Sequence, residues 1–282
     1  MENSAPDHLI VDRSEAGIWR VAFSNPPINM LAPKTIVELQ DLVSAAEANS
    51  ATKVLIFESA DPDFFISHFD TARSAEMPTE LGPSGHAGWV DFVVRLSRSA
   101  VISIAKIRGR TRGVGNEFVL ACDMRFASRE KALLGNPEVG VGLSPGGGAL
   151  QWLPRVVGRS RALEIVLSGD DFDAEVAERY GWVNRTLSDP DLDAFVDQLA
   201  RRLASFERET LREIKAQVSR MAVPDAEEFE SSQQAFWNAL GHPAAKARRA
   251  GLGGRGYGER SDFELNFGRY LPELTPRPEA WR

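Results

Sequence analysis

The feature that most constrains this chain is a short apolar run, "VISIAKI" (101–107), that passes with almost no linker into "GRTRGVGNEFVLACD" (109–123). Continuous apolar runs of this length bounded by polar residues fit a strand buried on both faces. A glycine-rich turn and a helix N-terminus then follow. The first turn of a helix carries unpaired N–H groups and the positive end of its dipole, so it stabilises negative charge. Glycine at 113 and 115 permits unusual dihedrals and the close approach of a ligand. The stretch has neither a GK[ST] ending nor GxGxxG spacing, so a nucleotide loop matches poorly. Fixed N–H donors beside a carboxylate, Glu117, suit an oxyanion hole with a proton carrier at hand. A glutamate in a first helical turn also complements the dipole without any chemistry. On this stretch alone the two readings stand level.

A second carboxylate, Glu138, lies in "LGNPEVGVGLSPGGGALQWLPRVVG", after a proline and ahead of a loop with three successive glycines. Such a residue tends to sit at a strand end or cleft edge; by itself it reads as a surface glutamate in a turn.

The elements around these stretches alternate. "HLIVDRS" and "IWRVAFS" flank Glu15-Ala16-Gly17 as a hairpin. Ile36, Leu39, Val43 and Ala46 share a helical face behind Pro33, and Trp89, Phe92, Val93 and Leu96 share another. "KVLIFES" is a further buried strand, with shorter candidates in "MRFAS" and "ALLGN". Strand and helix therefore alternate to about residue 187, which predicts an α/β domain. Beyond it, "LDAFVDQLARRLASF", "ETLREIKAQVSRM" and "AEEFESSQQAFWNAL" are helical patterns with no strand between them. The end, from Gly251, is rich in Gly, Pro and Arg and reads as an irregular arm, packed on a neighbour or partly mobile.

Composition narrows the function classes. A net charge of −7 gives no general attraction to nucleic acid or anionic membrane. The single cysteine, Cys122, excludes an intramolecular disulfide and a multi-cysteine zinc site, and its apolar surroundings mark it as packed rather than nucleophilic. No apolar run approaches membrane-spanning length, and the N-terminus lacks the basic-then-apolar order of a secretory signal, so a cytoplasmic location is expected.

Taken in order, four segments over roughly residues 8–240 resemble the crotonase, or enoyl-CoA hydratase/isomerase, superfamily. "NPPINML" resembles its N-P-x-x-N-A-L segment bordering the CoA site, and "FISHFD" its F-x-A-G-x-D loop. "IRGRTRGVGNEFVLACDMRFAS" resembles its strand, glycine turn and helix, and "KALLGNPEVGVGLSPGGGALQWLPRVVG" its loop with the second catalytic acid. The resemblance implies an α/β fold built as a spiral of ββα units over residues 1–187. Residues 188–282 are then a helical region and arm that covers the active site and mediates a homotrimer or homohexamer.

It also implies a site. The oxyanion donors would be the backbone N–H groups of Phe69 and Val114, the catalytic acids Glu117 and Glu138, and the substrate-binding residues Asn29, Ile66 and His68. The implied activity is hydration of an α,β-unsaturated acyl-CoA thioester through a stabilised enolate, with coenzyme A arriving as part of the substrate and no metal or separate cofactor. Close relatives of this reading are an enoyl-CoA isomerase, a crotonase-fold hydrolase of C–C or thioester bonds, and a non-catalytic acyl-CoA-binding protein.

The sequence departs from the family pattern at several points. His68 and Val114 stand where glycines are usual, each adding a Cβ to a donor loop while leaving the N–H in place. His68 would be a third acid/base beside the oxyanion hole; a loop histidine filling space or bonding locally is the preferred reading. Arg110 and Arg112 would meet a substrate anion or form structural ion pairs. Asp70 reads as structural. Arg248 and Arg249, in the basic arm, would approach a phosphate, with a solvated helix face preferred.

Overall fold

The computed structural model describes residues 7–274. The first residues of the leader reading and the last eight of the arm (275–282) lie outside them. Strands β1 (Leu9–Glu15) and β2 (Ile18–Phe23) form the expected antiparallel hairpin. Helix α1 (Pro33–Ala48) starts on Pro33 and buries Ile36, Leu39, Val43 and Ala46. There follow β3 (Val54–Ser59), β4 (Phe64–Ile66) and α2 (Gly88–Arg98), then β5 (Ile102–Ile107), β6 (Arg110–Arg112) and α3 (Val114–Ala121). The third round is β7 (Met124–Ser128), β8 (Leu133–Gly135) and α4 (Ala149–Val157). Three times the chain runs strand, short strand, helix, and this repeat is the spiral.

Each long strand joins one sheet and each short strand another. The larger sheet has the order β1-β2-β3-β5-β7 and ends on β10 (Arg185–Leu187); beyond the hairpin all its pairs are parallel. The smaller sheet runs β4-β6-β8, all parallel, and closes with the antiparallel β9 (Asp171–Asp173). Between β8 and β10 lie α4, α5 (Arg159–Ser168) and α6 (Ala174–Tyr180).

The apolar run of β3 is continuous because both faces are covered. Successive side chains alternate sides, so Leu55 and Phe57 enter the main core with α1, α2 and α3, while Val54 and Ile56 enter a second layer. That second layer is closed by Leu192, Val196 and Ala200 of α7 (Asp189–Ala204). The helical region after residue 187 is thus partly a wall of the core itself. It continues as α8 (Arg208–Ala222), α9 (Glu228–Gly241) and α10 (Pro243–Ala250).

The described part of the arm, to Leu274, packs within its own chain: α11 (Asp262–Leu265) and α12 (Phe267–Tyr270) bring Phe263, Phe267, Leu271 and Leu274 together with Leu252 in a separate apolar cluster. Arg112 explains the docking. It is fully buried, forms a two-pronged ion pair with Asp171 at 2.7 and 2.6 Å, and donates to the Glu264 carbonyl at 2.6 Å. Arg110 donates to the Leu265 carbonyl at 3.0 Å. Both arginines therefore tie the arm to β6. Arg248 and Arg249 are half-buried, and here the expected solvated face is corrected: Arg248 donates to the carbonyls of Gly140 and Leu271, Arg249 to that of Leu240. Among the described residues no helix is long and apolar enough to cross a membrane.

Candidate active site

The step from β6 to α3 is made by Gly113, whose φ of 53° is in the region that disfavours side chains. Two residues on, a Cβ at Gly115 would lie 2.5 Å from the Ile66 carbonyl oxygen, so only glycine lets α3 start against the end of β4. Val114 is consequently the first residue of a helix, and its N–H has no acceptor among the described residues. The Phe69 N–H likewise has none, although its neighbours in the loop bond across to Leu31. Phe69 and Val114 line the same cavity, of about 100 Å³.

Glu117 and Glu138 line it too. Glu117 is 3% exposed, and its Oε1 accepts the N–H of Gly147 at 2.8 Å, in the loop entering α4, and that of Ala149 at 3.2 Å, the first residue of α4. The triple-glycine loop allows this approach, since a Cβ at Gly147 would sit 2.2 Å from Glu117 Oε2. The Trp89 indole N–H holds the same loop through the Gly147 carbonyl at 2.9 Å.

Glu138 opens a short turn after Pro137 and, half-buried, reaches the cavity wall. Its carboxylate oxygens lie 3.4 and 3.3 Å from Asn136 Nδ2. Burial pushes both acids up from the usual carboxylate range, to about 7 for Glu117 and about 8 for Glu138. The charge of Glu117 raises Glu138 further, whereas backbone N–H groups work to hold Glu117 down. The two carboxyls titrate as a pair.

The remaining candidates are placed as follows. His68 is 7% exposed and lines the cavity. Its Nε2 bonds Glu264 Oε1, 196 residues away, at 2.9 Å, while its Nδ1 lies 3.4 Å from the carbonyl oxygen of the adjacent Phe69. Asn29 does not line the cavity: its side chain is buried, accepting from the Asn25 N–H and donating to Phe23, Ser59 and Phe64. Asn29, at φ 52°, is thus a knot that ties the β2 exit to β4, and its proposed substrate contact is replaced by that structural one. Ile66 packs in the main core, its side chain against Gly115 rather than in the cavity. Asp70 caps the turn Thr71–Glu76 by accepting from Ala72 at 3.2 Å. Cys122 is buried, and burial raises its thiol well above the ordinary range, away from nucleophilic use. Among the described residues, no group of three or more His, Cys, Asp or Glu side chains could hold a metal ion.

Several residues escaped the sequence reading. Asn116 stands next to Glu117 in "GNEF" and Asn136 two residues before Glu138 in "GNPE", and that nearness was the available signal. Tyr257 and Phe267 of the arm also line the cavity, and nothing local to the catalytic motifs points to them.

Two sheets wound by ββα repeats, and a cavity lined by two glutamates and by two backbone N–H groups unpaired among the described residues, define a crotonase-fold enzyme. The model of the family "Enoyl-CoA hydratase/isomerase" matches residues 13–266, and the chain belongs to that family. A crotonyl-CoA hydratase of Syntrophomonas wolfei is 31% identical over 207 residues, 71% of this chain and 77% of that protein. A short-chain-enoyl-CoA hydratase of Clostridium acetobutylicum is 28% identical over 70% of this chain and 75% of its own. A solved structure of a provisionally named enoyl-CoA hydratase from Streptomyces avermitilis superposes with a TM-score of 0.91 at 39% identity, covering 97% of this chain and 99% of that one.

Proposed function

We propose that this enzyme is a hydratase, adding water to (or removing it from) an α,β-unsaturated acyl-CoA thioester. The observation that carries the reading is that both carboxylates and both unpaired N–H groups line one cavity. The thioester carbonyl accepts from Phe69 and Val114, so the charge that builds on its oxygen as water adds at Cβ meets fixed donors; one such donor is typically worth ~3–4 kcal/mol. Glu117, with its charged form favoured by the α4 amides, takes the proton from water. Glu138, whose pKa is pushed higher, holds the proton delivered to Cα. The name of the Syntrophomonas relative points the same way. The reaction so written needs no metal and no cofactor beyond the CoA of the substrate.

The proposal extends to assembly and place. A cytoplasmic homotrimer or homohexamer is in keeping with the resemblance and with the exposed apolar face of α8. Incubating the pure protein with a panel of enoyl-CoA esters, following loss of thioester conjugation together with product masses, tests the activity. Gain of 18 mass units with loss of conjugation is the expected result; a shifted double bond without mass gain means an isomerase instead.

A further inference from the structure

The reaction above uses two glutamates and two amides and leaves a second polar cluster in the same cavity unused. His68 Nε2 lies 2.9 Å from Glu264 Oε1, an oxygen that also accepts the Gly258 N–H at 2.8 Å. Glu264 is fully buried, and its Oε2 has no hydrogen-bond partner among the described residues. Burial works to raise its pKa, yet His68, the Gly258 amide and Arg112 together hold it below the ordinary range. A buried anion of this kind fixes an imidazole by taking its N–H, as second-sphere carboxylates do elsewhere.

The other nitrogen, Nδ1, is 3.3 Å from the Tyr257 hydroxyl. The two rings stack, 9° from parallel with centroids 4.7 Å apart. An imidazole nitrogen bonds in its ring plane, so a hydroxyl carried by a parallel ring meets it at poor geometry. The Phe69 carbonyl, at 3.4 Å from Nδ1, is at the outer limit of a hydrogen bond. The Tyr257 hydroxyl also meets the Thr71 side chain, so His68, Tyr257 and Thr71 form one polar patch in a chamber whose other walls include Leu31, Ile36, Met77, Trp89, Phe236 and Trp237. A hydrocarbon acyl chain would desolvate this second station and give it nothing in return.

We infer that the acyl chain of the substrate carries a hydroxyl group beyond the thioester, which accepts from the Tyr257 hydroxyl and donates to His68 Nδ1, with Glu264 as the positioning residue. The inference rests on the reading of the enzyme as acting on an enoyl thioester. Its specificity would come from the arm, which brings Tyr257 and Glu264 to the core loop that holds His68.

The test uses matched acyl-CoA pairs of equal chain length, with and without a hydroxyl substituent beyond Cβ. Turnover and calorimetric binding are measured for the wild type, Tyr257→Phe and Glu264→Gln, each checked for folding. The wild type should favour the oxygenated member about tenfold or more, and each variant should cut that ratio by about five- to tenfold. A merely structural role for Glu264 would depress both members equally and leave the ratio unmoved. Equal treatment of the pair by the wild type, or a ratio preserved in both variants, overturns the inference. If no ester in the panel is turned over, the hydratase reading has failed, and the binding ratio then decides the inference: an oxygenated ester bound no more tightly than its partner rejects it.

Discussion

The side-chain amide of Asn116 donates to Asn136 Oδ1 at 2.6 Å, and both residues are fully buried. This contact is the middle of a line. The Trp182 indole donates to Asn116 Oδ1 at 2.8 Å, and Asn136 Nδ2 faces the Glu138 carboxylate. An indole N–H can only donate, so it sets the orientation of the first amide, which sets that of the second. The line thereby presents a donor to Glu138 and opposes, in part, the effect of burial on its pKa.

Asn136→Ala breaks this line. It should lower kcat about tenfold by loosening Glu138, and should cost about 1–3 kcal/mol of stability because the Asn116 amide loses its buried acceptor. Kinetics paired with denaturant unfolding checks both. An unchanged kcat in a destabilised protein would show that the line serves the fold alone.

A second expectation concerns Val114. Proline is tolerated at the first residue of a helix and has no N–H. Val114→Pro should lose about a hundredfold or more in kcat, the typical effect of deleting one oxyanion donor. Val114→Gly keeps the N–H and removes a side chain from the cavity wall, so it should retain or increase turnover of small enoyl thioesters. A folded proline variant with full activity would exclude this amide from the chemistry.

Assembly gives a third. Ile214, Val218 and Met221 recur on one face of α8 and are 58%, 64% and 89% exposed. Side chains spaced in this way form one stripe, and its burial between copies of the chain would support the proposed oligomer. Light scattering should give several times the 31.0 kDa chain mass, and Val218→Glu with Met221→Glu should lower it. A wild-type monomer at micromolar concentration contradicts the proposal.

What was legible in the sequence was what is local. The glycine turn and the alternation of β3, α2, β5 and α3 follow from patterns within a dozen or so residues, because backbone geometry there is set by near neighbours, whereas the pairing of the two acids came only from the resemblance. The three-residue strands β4, β6 and β9 are too short to carry a period of two, so the "RTR" of β6 gave no sign of an inner strand, and only the fold decides for Arg112 between a substrate anion and a structural ion pair, with Asp171. Asn29 illustrates a different limit: the motif around it was recognisable, but only the folded chain shows its amide spent on Phe23, Ser59 and Phe64. The contact of His68 with Glu264 spans 196 residues, and no local rule pairs them.

The last expectation concerns the acid pair and its pH dependence. Water addition through Glu117 and Glu138 needs one carboxylate to accept a proton and one carboxylic acid to give it. Glu117→Gln and Glu138→Gln should each lose at least about a hundredfold in kcat, and the double variant far less than the product, because groups acting on one water are not additive. Both pKa values are raised, to about 7 and about 8, so hydration should fall in acid as the base protonates and in alkali as the acid ionises, with its optimum between them. The same shifts set the sign of a stability effect. An acid whose folded pKa exceeds its unfolded value of 4.5 favours the fold fully below that value, and the benefit is lost as pH rises toward the folded pKa. Glu138→Gln cannot ionise, so its melting temperature relative to wild type should rise from pH 5 to pH 9. Melting curves across that range together with pH–rate profiles of the four forms decide the matter: a flat melting difference removes the buried-acid assignment, and near-normal hydration by either single variant ends the two-glutamate mechanism.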